Sequence, residues 1–168
     1  MMGRMGFFFP FLRNSKRKFS AVEVRLATTR WSQTFVEPNP DYRATILNSM
    51  GQEVGSATFG VSPLDDATYV YQIEVHAEHR RQGYALAFLF WLYNEYRHPI
   101  IPIHIVGNAI GFWSAARAFP HRLLIVKDEL RTSEMAAEKM RWAHLIPEPE
   151  HIRLQRICEA SPTWRHEK

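Results

Sequence analysis

Two arginines, a glutamine and a glycine, Arg80-Arg81-Gln82-Gly83, stand where a strand-like run (Thr68 to His76) meets an apolar, helix-forming run (Gln82 to Arg97). A helix start leaves backbone N–H groups without partners and carries partial positive charge, so it can hold an anion. Arginine adds charge and fork-shaped donors, and glycine lets a phosphate approach the backbone. The ligand class that fits Val75 to Ala85 first is therefore a coenzyme bearing a pyrophosphate.

The strand before this junction carries groups able to move protons. Simple alternation puts Tyr69, Tyr71, Ile73 and Val75 on one face, and Val70, Gln72, Glu74 and His76 on the other. Glu74 and His76 would then project together, and such a pair can relay a proton; the plain alternative is a wet polar face. His104, within the apolar run Ile103 to Val106, is a second candidate, although a lone histidine there is more often a hydrogen-bonded core residue. Ser114 could pass a proton through water or simply pack closely. His76 and His79 lie three apart with no cysteine and no third ligand nearby, so no metal is expected.

The elements that must position these groups follow from periodicity. Ala21 to Ala27 alternates as a strand, and Gln33 to Val36 suggests a second short extended piece before Pro38 and Pro40. Tyr42 to Asn48 and Glu53 to Phe59 flank the turn Ser49-Met50-Gly51-Gln52, and Thr68 to His76 completes an antiparallel meander. In the following helix Ala85, Phe88, Leu89, Leu92, Tyr93 and Tyr96 recur at three- and four-residue steps, while Phe90 and Trp91 make it apolar nearly all round. His98-Pro99 stops it. Ile100 to Val106 reads as a buried parallel strand and Asn108 to Phe119 as a helix. Beyond Pro120, His121 to Val126 suits a strand, Asp128 to Leu145 a helix with Met135, Met140, Trp142 and Leu145 as apolar positions, and 150–160 a short helix.

At 168 residues and 46% hydrophobic, the chain can build one domain with a real core. Its single cysteine, Cys158, excludes an internal disulfide and fits a reducing cytoplasm. The run Phe7 to Leu12 is short and broken by Pro10, and nothing approaches a membrane span, so a soluble cytoplasmic protein is expected. Residues 1–18 hold Arg4, Arg13, Lys16, Arg17 and Lys18 without an acid, so this arm carries +5 of the net +4 and the rest sums to −1. The arm reads as a disordered leader; its charge could also bind nucleic acid or another anionic surface. The expected division is an arm at 1–20, a catalytic domain at 21–126 and a helical extension with a polar tail at 127–168.

With this order of elements the chain resembles the GNAT superfamily of N-acetyltransferases. Its signature, Gln/Arg-x-x-Gly-x-Gly/Ala, is matched by Arg80-Arg81-Gln82-Gly83-Tyr84-Ala85, and Val75 stands where the family's strand ends in valine. Ala109-Ile110-Gly111-Phe112-Trp113 is similar to a second family landmark, an Ala-x-x-Phe-Tyr-like run. The resemblance spans Arg43 to Phe119. It implies an α/β (α+β) fold with a mixed central sheet, an antiparallel meander followed by helix, strand and helix. Only Thr28 to Asp41 separates the first two strands, too short for the two helices the family places there, so that part is reduced.

The resemblance further implies acetyl-CoA as co-substrate and no metal. Backbone N–H groups of Arg80, Arg81, Gln82, Gly83, Tyr84 and Ala85 would hold the pyrophosphate, and Ile73 and Val75 would meet the pantetheine and acetyl carbonyl. Glu74 and His76 are the catalytic candidates. Trp113 falls where the family often has a thiolate-protonating tyrosine, and an indole N–H does not serve as that acid. The reading is an N-acetyltransferase acting by direct transfer on a small-molecule or peptide amine. The alternatives are a catalytically degenerate coenzyme A-binding regulatory protein and an acetyltransferase for an RNA-linked amine guided by the basic arm. A homodimer is expected only if the aromatic faces of the two helices stay uncovered.

Overall fold

In the computed structural model of the chain, the structure describes residues 20–29 and 34–160. Five strands form one mixed sheet in the order β1-β2-β3-β4-β5: β1 Glu23–Thr29, β2 Asp41–Leu47, β3 Glu53–Val61, β4 Thr68–Val75 and β5 Ile100–Pro102. The first four are antiparallel neighbours, and β5 runs parallel to β4. The β2–β3 turn is set by Asn48, whose Oδ1 accepts from the N–H groups of Met50 and Gln52 at 3.0 Å each, with Gly51 at φ +77°. This is the α+β architecture that the order of elements predicts.

Helix α1, Tyr84–Tyr96, connects β4 to β5. Ala87 to Leu92 are all buried, which explains why its sequence is apolar nearly all round. It ends where Arg97 turns left-handed at φ +60° and returns its N–H to Tyr93 O at 2.8 Å. Phe88, Leu89 and Trp91 pack against Ala44, Ile46, Phe59 and Val70 from the sheet and Trp113 and Ala116 from α2, Ile110–Arg117. The aromatic residues of α1 and α2 are thus core: Phe88, Phe90, Trp91 and Trp113 are buried.

A second, smaller core gathers Val36, Ala67, Tyr69, Ile103 and Trp142, with Phe35 and Tyr71 against it. Trp142, fully buried, lies just beyond α3, Met135–Met140. Phe35 meets the rings of Tyr69 and Trp142 edge-on at 5.0 and 5.5 Å. Arg141 reaches Asp66 and Glu138, and the hydroxyl of Tyr69 donates to Glu138. Residues beyond Val126 therefore help build the domain.

Several elements differ from their sequence patterns. The described part of Gln33 to Val36 is not extended: Phe35 to Pro38 form turns, with a cis Glu37–Pro38 bond. The strand expected over Ile100 to Val106 stops at Pro102, and His104 turns left-handed at φ +51°. His121 to Val126 forms turns and then only an isolated bridge, Val126 to Ile100. The helix expected over Asp128 to Leu145 shrinks to Met135–Met140, because the chain before it is drawn out along β5: Leu130 N–H bonds Pro102 O at 2.9 Å and Lys127 N–H bonds Ile100 O at 2.8 Å. Of that segment's apolar positions Trp142 is buried, whereas Met140 and Leu145 are exposed. Helix α4, Glu150–Ala160, matches the expected range, with every residue exposed.

Candidate functional site at the end of strand β4

The partner of β4 leaves it halfway. β4 pairs with β5 only over Thr68–Ile100, Tyr69–Ile101 and Val70–Pro102, and the last bond between them runs from Ile103 N–H to Val70 O at 2.9 Å. Beyond that point the chain turns to the C-terminal segment. His104 N–H goes to Leu130 O at 3.3 Å, and Ile105 N–H to the carboxylate of Glu129 at 2.7 Å. Among the described residues no strand pairs with the second half of β4 on this side, so that edge is open.

A bulge decides which groups that edge presents. Phe59 pairs with Val70 and Thr58 with Gln72, leaving Tyr71 as an extra residue. One consequence is a correction to the alternation expected from sequence. Ile73 packs in the α1 core with Val70, while Tyr71 packs in the opposite core with Tyr69. Glu74 and Gln72, whose side chains alternate with Ile73, therefore share the face of Tyr69 and Tyr71. The extra residue shifts parity midway along the strand.

The same shift re-aims the backbone. His76 N–H bonds Val54 O at 2.9 Å, so Val54 and His76 form a hydrogen-bonded antiparallel pair. The next pair, Gly55 and Val75, is then non-bonded, as is Ala57 with Ile73 two residues on. The N–H and C=O groups of Ile73 and Val75 consequently point away from β3, into the open edge. Without the bulge, those of Gln72 and Glu74 would have done so.

A single 3₁₀ turn, Ala77–His79, carries the chain from this edge to α1. Arg81 is left-handed at φ +62°, and Gly83 caps the helix at φ +86°, ψ +6°. No side chain caps this helix and no acid lies in its first turn. Its first internal bond is Ala87 N–H to Gly83 O at 2.9 Å, so Tyr84, Ala85 and Leu86 keep N–H groups without intrahelical acceptors. Arg80, Arg81 and Gln82 are exposed around this start. Gln82 donates to Glu78 O at 3.0 Å, and Ser20 Oγ donates to Gln82 O at 2.6 Å, tying β1's leading residues to the loop. Arg80 Nε donates to Val75 O at 3.0 Å. Tyr84 packs edge-on against His79, 6.1 Å between ring centres.

The expected anion-holding residues, Arg80 to Ala85, thus sit together at an uncapped helix start, next to the open edge of Ile73 and Val75. The proton-transfer candidates are more dispersed. Glu74 is exposed on the face away from α1, and the ring of His76 lies 3.9 Å from the carboxylate of Glu53. Among the described residues no hydrogen bond or ion pair joins Glu74 to His76. His104 is exposed rather than a core residue, Ser114 is exposed, and Trp113 is buried against Phe112.

Sequence reasoning missed two glycines that shape this strand. A Cβ on Gly55 would collide with the carbonyl of Glu74, and one on Gly60 would collide with the Tyr71 hydroxyl and Val36. Glycine inside a strand is the signal that could have found them. It missed Asp41 as well, which accepts from Tyr71. A shallow groove of about 390 Å³ lies elsewhere, beside β5, lined by Ile101, Val126, Glu129, Leu130 and Glu138 among others. Among the described residues no cluster of three His, Cys, Asp or Glu is arranged for a metal, and no helix is long and apolar enough to cross a membrane.

No family model matches the chain, and no curated protein matches it. Among solved structures it is similar to a protein of Pyrococcus furiosus provisionally named an acetyl transferase, with a TM-score of 0.36 and 21% identity. That match covers 54% of this chain and 66% of the other, just under two thirds. An overlap so slight assigns no activity.

Proposed function

We propose that the chain is an acetyl-CoA-dependent N-acetyltransferase of the GNAT type, passing an acetyl group directly to an amine in the cytoplasm. The observation that carries the reading is the juxtaposition at Val75 to Ala85: an open strand edge that ends at Val75 and a helix that starts at Tyr84, with Gly83 before it and no side-chain cap. A ligand that is amide-bearing at one end and doubly charged at the other matches both parts. Coenzyme A is such a ligand, with amides along pantetheine and a pyrophosphate beyond.

In this reading the N–H groups from Arg81 to Ala85 hold the pyrophosphate, that of Arg80 being returned to Ala77 O at 3.3 Å, and Ile73 and Val75 pair with the pantetheine and orient the thioester. The amine attacks the thioester carbonyl, an oxyanion forms, and the thiolate leaves. Glu74 takes the amine's proton through water. Trp113 lies in the core, so thiolate protonation falls to solvent or another group.

Calorimetry with acetyl-CoA on the wild type and on Gly83→Glu tests the reading. The variant puts a carboxylate and a Cβ where the phosphates and the left-handed backbone belong. Binding by wild type and its loss in a folded Gly83→Glu protein is the expected result; a wild type that does not bind acetyl-CoA overturns it. The core position of Trp113 favours one second reading, a coenzyme-binding protein without turnover. Binding of acetyl-CoA with no acetylation of any amine in a broad panel would select it.

A further inference from the structure

The carbonyl of Val75, one of the groups aimed into the open edge, is already taken. Arg80 folds back over the 3₁₀ turn, and its Nε–H reaches that oxygen at 3.0 Å. The turn fixes the approach: His79 N–H returns to His76 O at 2.9 Å and Arg80 N–H to Ala77 O at 3.3 Å. Arg80 is exposed, and among the described residues its guanidinium makes no other hydrogen bond and no ion pair. Arg81, its neighbour, carries the same charge in a left-handed backbone conformation and makes no such bond.

We infer that Arg80 is a displaceable cap on the Val75 carbonyl, coupling the strand-edge half of the coenzyme site to its anion half. The inference rests on the coenzyme reading above. A ligand amide that lies along β4 needs the Val75 oxygen as acceptor, and must move the Arg80 side chain to reach it. Once displaced, the guanidinium is one turn from the uncapped start of α1 and meets the incoming pyrophosphate. A ligand with both parts exchanges one partner of Arg80 for a better one, because a charged acceptor outbids a neutral carbonyl. A ligand with the amides alone pays for the displacement and gains no phosphate contact. Arg80 thereby selects for the complete coenzyme against pantetheine fragments, a specificity role distinct from adding charge.

The test is an NMR-detected titration of the full chain with acetyl-CoA and with acetyl-pantetheine, which lacks the phosphates, on wild type, Arg80→Met and Arg81→Met. The cap requires opposite signs in one protein. Arg80→Met should bind acetyl-pantetheine about two- to fivefold more tightly than wild type and acetyl-CoA more weakly. Arg81→Met should weaken acetyl-CoA and leave acetyl-pantetheine unchanged. In free wild type the Arg80 Nε–H signal should be protected from exchange, and acetyl-pantetheine should remove that protection. If wild type binds acetyl-CoA while Arg80→Met binds acetyl-pantetheine no better than wild type does, the cap is overturned and the coenzyme reading stands. A freely exchanging Arg80 Nε–H in the free protein overturns it equally. If wild type binds neither ligand, the coenzyme reading falls and the cap with it.

Discussion

The hydroxyl of Tyr71 donates to Oδ1 of Asp41 at 2.7 Å, and the pair closes over Gly60, where any side chain would strike both. Tyr71 is the bulged residue of β4, so this bond anchors the strand at the point where its two faces and two edges change roles. Burial raises the Asp41 carboxyl above its ordinary range, and the bond from Tyr71 works against that rise. Burial, followed by the bond to Asp41, pushes the phenol far upward, so it stays a donor.

Tyr71→Phe removes the one influence that holds the Asp41 carboxyl down. Because its folded pKa lies above the unfolded 3.8, the folded state binds the extra proton, and this group's contribution to stability falls as pH rises through that window. Without the phenol the window widens upward. The variant should lose about 0.5–1.5 kcal/mol at pH 7, from the lost hydrogen bond to a half-buried carboxylate, and less at pH 4. Urea denaturation at the two pH values checks this; an equal loss at both would place the effect in packing instead.

Gly55→Ala and Gly60→Ala should each destabilise the fold by about 1–3 kcal/mol, the range for forced overpacking. Their consequences for ligand binding should differ. At Gly55 the obstruction is the Glu74 carbonyl, a backbone atom that yields only if β4 itself moves near Val75. At Gly60 the nearest groups are side chains, Tyr71, Val36 and Asp41, some way from the open edge. Acetyl-CoA affinity should therefore drop in Gly55→Ala and hold in Gly60→Ala, measured by calorimetry at a temperature where both remain folded.

The bulge is also where sequence reasoning reached its limit. The strand–helix junction could be read because its signals are local: a β-branched run, Gly83, and helical periodicity from Ala85 to Tyr96. The faces of β4 could not, because alternation assumes one residue opposite one, and Tyr71 breaks that count through a pairing with β3 that no local pattern reveals. The segment Asp128 to Leu145 misled for a related reason. Its helical spacing is real, but hydrogen bonds from Lys127 and Leu130 to β5 outweigh propensity over its first part. The polar links Tyr71–Asp41 and Arg141–Asp66 join residues 30 and 75 positions apart, beyond any spacing rule.

Asp66 should govern part of the acid sensitivity. Burial tends to raise its carboxyl, but hydrogen bonds from Ser62 and Arg141, with the Arg141 charge, together hold it below 3.8. A lowered folded pKa gives stability that is present above the unfolded value and lost as pH falls through the folded one. Asp66→Asn should therefore cost about 0.2–1 kcal/mol near neutrality, the range for a half-exposed pair, and progressively less as pH falls below 3.8. Thermal melts from pH 2.5 to 7 would show the two proteins converging at the acid end.

Glu74→Gln separates catalysis from binding. The side chain projects from the face opposite Ile73 and makes no hydrogen bond or ion pair among the described residues, so acetyl-CoA affinity should stay within about twofold. The acetylation rate should fall by about 100-fold if the carboxylate takes the amine's proton. An unchanged rate would remove Glu74 from the reaction and leave His76 as the remaining candidate on β4's end.

Proline at two adjacent positions tests the re-aimed edge directly. The N–H of Val75 points away from β3, so Val75→Pro deletes no rung of the β3–β4 ladder, and proline is tolerated on a strand where the lost donor faces outward. The N–H of Glu74, paired with Ser56, points into the ladder. Glu74→Pro should cost at least about 1–3 kcal/mol through the lost bond and the unmet Ser56 carbonyl. Val75→Pro should keep most of the stability yet lose acetyl-CoA binding if, as proposed, the coenzyme pairs with the donor it deletes. Denaturation midpoints and calorimetry on the two variants decide the matter. If Val75→Pro is the less stable protein, the parity derived from the bulge at Tyr71 is wrong; if it is stable and still binds acetyl-CoA as wild type does, the ligand does not pair with this edge.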